Sequence, residues 1–169
     1  MDFFDVIKSR RSIRSFKPEA PPEEKLSAIL EAVRIAPSAG NVQGFKIKIV
    51  KDPATKKALA KASFGQSFVA AAPWVLAFME DPEPSRKKYG SRGADLYALQ
   101  DATIACMHAH LAAAALGLGS VWVGAFSPTE AATALGLPSG LVPVALLPIG
   151  LPAEDPQPTL RKPLKELLI

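Results

Sequence analysis

From residue 95 to residue 118 the chain has no proline and is dominated by alanine and leucine, with apolar side chains on nearly every helical face. Such a composition describes a helix enclosed on all sides, because a helix bordering water keeps one polar face. At about 1.5 Å per residue the segment would extend roughly 36 Å, at least the width of a small domain. A chain of this size would not cover it alone, so a second subunit is expected. Gly117 and Gly119 offer the left-handed backbone that ends a helix, and Ser120, Val121, Trp122 and Val123 are expected to follow as a short buried strand closing at Gly124, Ala125 and Phe126.

The 169 residues, 49% of them hydrophobic, are expected to form one domain with a full core. Twenty basic against 16 acidic residues leave a formal charge of +4, a mild excess that favours small anionic ligands and does not point to nucleic acid. Cys106 is the lone cysteine, which excludes an intrachain disulfide or a thiolate metal cluster and fits a reducing cytoplasm. Asp2 and Asp5 stand where a secretory signal would be basic and then apolar, so export is not expected. Residues 111–129 and 133–153 lack charge but are broken by Gly117, Gly119 and Ser120 in the first, and by Pro138, Pro143, Pro148 and Pro152 in the second, so no membrane span is expected.

Asp2 caps a first helix whose Phe3, Phe4, Val6 and Ile7 are expected to face inward, and which ends in Arg10, Arg11, Ser12, Ile13 and Arg14. Cations at a helix C-terminus compensate the macrodipole, and on this segment alone that solvated reading is the plainer one. The sharper reading is an anion site, since guanidinium forks and a hydroxyl suit phosphate oxygens. Pro21 and Pro22 open a second helix with Leu26, Ile29, Leu30 and Val33 on its apolar face, stopping near Pro37. Ala36, Pro37, Ser38, Ala39, Gly40, Asn41, Val42, Gln43 and Gly44 then form a loop before the strand 45–50. Turn chemistry accounts for most of these residues. Gln43 is not required by it, and with Ser38 and Asn41 it offers mixed donors and acceptors for the edge of a heterocycle.

Lys56, Lys57 and Lys61 are expected on the solvated face of a helix over 51–63, followed by a buried strand over 73–78. Residues 80–92, with two prolines, Gly90, basic residues and Tyr89, read as an irregular loop of the kind that forms lids. His108 and His110 cannot share a metal ion, because positions two apart on a helix point about 200° apart. Asp101 and His108 do share a face and are expected to form a polar pair. Gly117, Leu118 and Gly119 are not a dinucleotide fingerprint, since a helix precedes them and a strand follows. Ser127, Pro128, Thr129 and Glu130 form a capping box for a helix ending at Gly136. Residues 141–147 are the last strand candidate, which Pro143 should leave incompletely paired or at an edge. From 148 to 169 a proline-rich tail carrying Arg161 and ending in Leu164, Leu167, Leu168 and Ile169 is expected to lie extended over a surface, such as a partner's.

These motifs, in this order and over nearly the whole chain, resemble the FMN-dependent nitroreductase family. The segment 10–14 is similar to that family's phosphate and flavin-edge motif, 36–43 to its alanine-proline-serine loop with asparagine and glutamine, 117–126 to its glycine turn and strand, and Arg161, Lys162, Pro163 and Leu164 to its C-terminal phosphate arginine. The resemblance implies an α+β fold, a central mixed or antiparallel sheet surrounded by helices, built as an intertwined homodimer with FMN at the interface. It implies that Arg10, Arg11, Ser12, Arg14 and Arg161 come from one chain and Pro37, Ser38, Ala39, Asn41 and Gln43 from the other. Val123 and the backbone amides around Gly124 and Ala125 would face flavin N5. No side chain would act as a nucleophile. Hydride would pass from NADH or NADPH through flavin N5 to a nitroaromatic, quinone or similar acceptor.

The pattern also shows departures. Gly44 and Phe45 stand where many members have proline and tryptophan, 65–68 supplies no lysine against the flavin, and Thr159 replaces a basic residue near the C-terminal arginine. A flavin-binding or flavin-sensing module without turnover, and a dehalogenase or flavin-fragmenting relative, are the alternatives such departures leave open.

Overall fold

The structure, a computed structural model, describes residues 2–169. Asp2 accepts a hydrogen bond from the Asp5 amide at 2.9 Å and starts α1, Phe3–Ser9. Helix α2, Glu23–Arg34, begins directly after Pro22 with Glu23 and Glu24 in its first turn and Arg34 in its last, the arrangement the helix dipole favours. The loop 37–44 leads into β1, Phe45–Val50. Asp52 caps α3, Pro53–Ala62, and the short α4, Ser67–Ala71, precedes β2, Trp74–Glu80. Helix α5, Pro82–Arg92, runs through a π-turn at Gly93–Tyr97 into α6, Ala98–Ala115, which ends as Gly117 takes φ +71°. The two-residue β3, Gly119–Ser120, the Ser127-capped α7, Pro128–Leu135, and β4, Val142–Gly150, complete the order.

The four strands pair antiparallel in the order β1-β2-β4-β3. Successive side chains of a strand point to opposite faces, and in β2 both sets are buried. Trp74, Leu76 and Phe78 meet α2 and α6, through Leu26, Ile29, Val33, Ala105 and Ala109. Val75, Ala77 and Met79 meet α3, α4 and α7, through Leu59, Val69, Ala131 and Leu135. The result is helix, sheet, helix, which is why β2 reads as an unbroken apolar run. Among the described residues no helix is long and apolar enough to cross a membrane.

Several expectations need correction. Residues 82–92 are helical: Pro82 and Pro84 fall in the first turn, where amides have no helical partner to lose, and the irregularity is confined to Gly90 at φ +63°. Lys56 is buried, its Nζ donating to the Ala72 carbonyl at 2.7 Å, and burial lowers its pKa. Phe3, Phe4 and Ile7 are exposed on the single chain, and of α1 only Val6 is buried. Leu99, Thr103 and Met107 form an exposed stripe on α6, which is therefore not enclosed within one chain. Residues 121–123 run on beside β4 irregularly rather than as strand, adding to the two residues of β3 the Val121 amide on Pro148 O at 3.3 Å and a bridge of Val123 to Leu146. Strand β4 lies inside the sheet rather than at its edge, but as expected it pairs incompletely around Pro143, where β2 alone is its partner and the register shifts opposite Phe78 and Met79. Pro148 and Gly150 belong to β4, so the tail begins at 151.

Candidate functional site

Beyond Arg10, the C-cap of α1, the chain runs as a strip between two segments. On one side Ser12 bridges to Ser120 in parallel and the Ile13 amide donates to the Ser120 carbonyl at 3.0 Å. On the other, Lys17 N donates to Leu151 O at 2.8 Å and Ala153 N to Ser15 O at 2.9 Å, while the Glu154 carboxylate accepts from the amides of Arg14 and Ser15. A Cβ on Gly119 would come within 2.8 Å of the Ile13 side chain, so this close approach requires glycine there.

The strip and the tail enclose a cavity of about 430 Å³ lined by Arg10, Arg11, Ser12, Arg14 and Arg161, with Ile7, Lys8 and 156–159 completing its wall. No carboxylate lines it. The ion pairs among the described residues join Arg34 to Glu31, Lys46 to Asp81, Lys51 to Glu23 and Arg86 to Glu83, and include none of these four arginines. Burial, then the charges of Arg161 and Arg11, lower the pKa of Arg10, which still stays protonated at physiological pH. Uncompensated cations around one concavity make an anion-binding potential.

Arg10 Nη1 lies 3.0 Å from His110 Nε2, and His110 Nδ1 lies 2.8 Å from Ser120 Oγ. Burial and the neighbouring Arg10 lower the His110 pKa to about 4. The Arg14 guanidinium sits over the Phe68 ring at 5.9 Å, and Gln66 in the same turn donates to the Ala125 carbonyl at 2.9 Å. The start of α4 therefore links the arginine strip to the stretch 123–125. There Val123 is buried and bridged to Leu146, whereas Gly124 and Ala125 are exposed and their amides donate to no group among the described residues. A Cβ on Gly124 would meet only the Trp122 indole, at 3.4 Å, so nothing within the chain demands a glycine there.

The loop of Pro37, Ser38, Ala39, Asn41 and Gln43 lines no part of the cavity. Gly40, Asn41 and Gln43 all hold positive φ, of +53°, +57° and +56°. Each non-glycine residue in that region stores strain, and such strain persists only where the surroundings impose it. Here the buried Asp101 carboxylate accepts from the amides of Ala39 at 2.9 Å and Gly44 at 3.1 Å, Ser38 Oγ accepts from Gln43 N at 3.0 Å, and Lys88 of α5 donates to Gly40 O at 2.7 Å. Gly44 is needed for packing, since a Cβ would come within 2.6 Å of Ser85 Oγ and 3.3 Å of Asp101 Oδ2. Asp101 is thus spent on this loop rather than paired with His108, whose Nδ1 donates to Ala32 O at 3.1 Å.

Sequence reasoning missed the supports of the site: Asp101, His110, Glu154, Phe68 and Gln66. A charged residue inside an apolar helix is a signal that a partner exists. It does not say which partner, and for Asp101 that partner is the loop 39–44 rather than His108.

A sequence profile of the Nitroreductase family matches residues 7–73 and 63–151. The chain is 35% identical over 187 residues to "NADH dehydrogenase" of Thermus thermophilus, covering 95% of this chain and 91% of the relative. It is 36% identical over 166 residues to "FMN reductase [NAD(P)H]" of Bacillus subtilis, covering 89% and 67%. NfrA2 of B. megaterium superposes with a TM-score of 0.91 at 29% identity, over 98% of this chain and 72% of that one. With an antiparallel sheet between two helical layers and the profile spanning most of its length, the chain belongs to the nitroreductase family.

Proposed function

We propose that this chain, acting as one domain over 1–169, is an FMN-dependent oxidoreductase that passes hydride from NAD(P)H to a nitroaromatic, quinone or similar acceptor. The observation that carries the reading is the unpaired arginine cavity. A phosphate monoester matches a donor set of guanidinium forks and a serine hydroxyl with no carboxylate to oppose it. The names of relatives, FMN reductase and NADPH-dependent oxidoreductase, support the same cofactor and reductant.

Arg10 and Arg161 would hold the phosphate, with Arg11 and Ser12 beside it. Arg14, set over Phe68, would lie at the pyrimidine edge of the flavin, where a fixed cation stabilises developing negative charge without reorganising. The unoccupied amides of Gly124 and Ala125 would hold the N5 side of the ring, with Val123 packed behind them. FMN, when bound, supplies the hydride-transfer chemistry at N5, and the protein contributes binding, orientation and electrostatics.

The loop of Pro37, Ser38, Ala39, Asn41 and Gln43 would complete the site from a second chain. Its absence from the cavity supports this, as do the exposed Phe3, Phe4 and Ile7 on α1 and Leu160, Leu164, Leu167, Leu168 and Ile169 in the tail, an apolar surface suited to burial in a homodimer. A reducing compartment such as the cytoplasm suits a chain whose lone cysteine is a buried free thiol.

The test is the visible absorption spectrum of the purified protein, with mass identification of any released chromophore, followed by NADH and NADPH consumption with a quinone. Stoichiometric FMN and steady turnover are expected. A colourless protein that also failed to take up added FMN would overturn the reading.

A further inference from the structure

We propose that His110 fixes the pose of the Arg10 guanidinium and thereby gives the arginine cavity its preference for a phosphate over a neutral group; this rests on the phosphate reading above. The two residues are 100 positions apart and meet because α1 packs across α6. An arginine N–H can only donate, so His110 Nε2 must be the unprotonated acceptor. The ring is neutral and its proton sits on Nδ1, which donates to Ser120 Oγ at 2.8 Å. Ser120 is in turn held by the bridge to Ser12 and by the Ile13 amide. His110, only 3% exposed, is therefore fixed at both ends and cannot turn away from Arg10.

The residue type matters. A carboxylate in this place would hold Arg10 equally well but would cancel its charge and weaken the field in the cavity. A neutral imidazole occupies one guanidinium donor and leaves both the charge and the remaining donors for the anion. The charged groups around the ring are Arg10 and, beyond it, Arg11 and Arg161; Glu154 and Asp155 face Arg10 across a smaller cavity of about 150 Å³ that Ser120 also lines. Burial and the Arg10 charge keep the imidazole neutral down to about pH 4, so it stays an acceptor at neutral pH. His110 is a positioning residue in this scheme and touches no ligand.

The experiment compares FMN with riboflavin, which lacks the phosphate, by quenching of flavin fluorescence in the wild type, His110→Gln and His110→Phe. The phenylalanine variant should weaken FMN binding about tenfold, the worth of one hydrogen bond to a charged group. Riboflavin affinity should not change. Glutamine, whose amide oxygen can accept from Arg10, should restore most of the loss. In an Arg10→Ala background the His110→Phe substitution should have no further effect, a coupling that a merely structural role would not show. A wild-type preference for FMN that survives intact in His110→Phe overturns this proposal alone. No preference for FMN over riboflavin in the wild type overturns the phosphate reading and this proposal with it. If the phenylalanine variant does not fold, ¹⁵N NMR of the wild-type imidazole decides: protonation at Nδ1 supports the proposal, and protonation at Nε2 overturns it.

Discussion

Arg10, Arg11, Arg14 and Arg161 line one cavity and enter no ion pair among the described residues, whereas in the loop 37–44 the polar groups are tied to the chain itself. The first region has charge to spare and little strain. The second has left-handed backbone at Gly40, Asn41 and Gln43, held by Asp101 and Lys88. The difference separates two ways of preparing a site. Repulsion left in place is relieved when an anion binds, while strain held by hydrogen bonds within the chain fixes the direction of exposed side chains before any ligand arrives.

The largest effect should come from removing the spare charge. Arg10→Ala combined with Arg161→Ala should lower FMN affinity roughly a thousandfold, since two charge-assisted contacts are lost. Thermal stability should hold or rise, because the substitution removes both the partly buried Arg10 charge and its repulsion with Arg161, causes that lower the Arg10 pKa. Full flavin occupancy in that variant would show that the phosphate lies elsewhere.

On the other side of the comparison, Asp101→Ala should cost about 2 to 3 kcal/mol in urea unfolding, since it strands the buried Gly44 amide and the part-buried Ala39 amide. A loss below about 1 kcal/mol would mean that water replaces the carboxylate and that the loop is not held as described.

The third prediction concerns pH. His110 has a folded pKa of about 4 against an ordinary 6.5, so between these values the unfolded chain binds more protons than the folded one. Its stabilising contribution is complete above pH 6.5 and is lost as the pH falls to about 4, a change of about 3 kcal/mol. Denaturant unfolding across that range should show this slope in the wild type and not in His110→Gln. An equal slope in both would assign it to other groups.

The smallest effect is expected at Gln43→Gly. Relief of the left-handed backbone and the added chain entropy nearly cancel, so stability should shift by less than about 1 kcal/mol. Turnover should fall, because the exposed amide that the loop presents is gone. Unchanged turnover would remove Gln43 from the site.

Much of the fold could be read locally. The Asp2 cap, Pro128 at the start of α7 with Ser127 accepting from Glu130, Gly136 in the left-handed region and the apolar run of β2 are all specified within a few residues. The arginines at 10–14 and the small polar loop at 37–43 are also visible as motifs, but taken alone each reads more plainly as a solvated helix end or a turn. Lys56 shows the limit of such reading. Its sequence neighbours describe a solvated face, yet packing of α3 against α4 brings Ala72 O within reach and buries it.

Sequence alone determined what closes within one turn or one strand, because those hydrogen bonds and side-chain periods depend only on adjacent residues. The tertiary structure alone decided that Arg10 meets His110, that Asp101 turns to the loop 39–44 rather than to His108, and that β4 runs inside the sheet despite Pro143 and Pro148. Those outcomes join positions dozens of residues apart. They are set by which helix packs on which face of the sheet, and a buried polar group takes whichever partner that packing supplies.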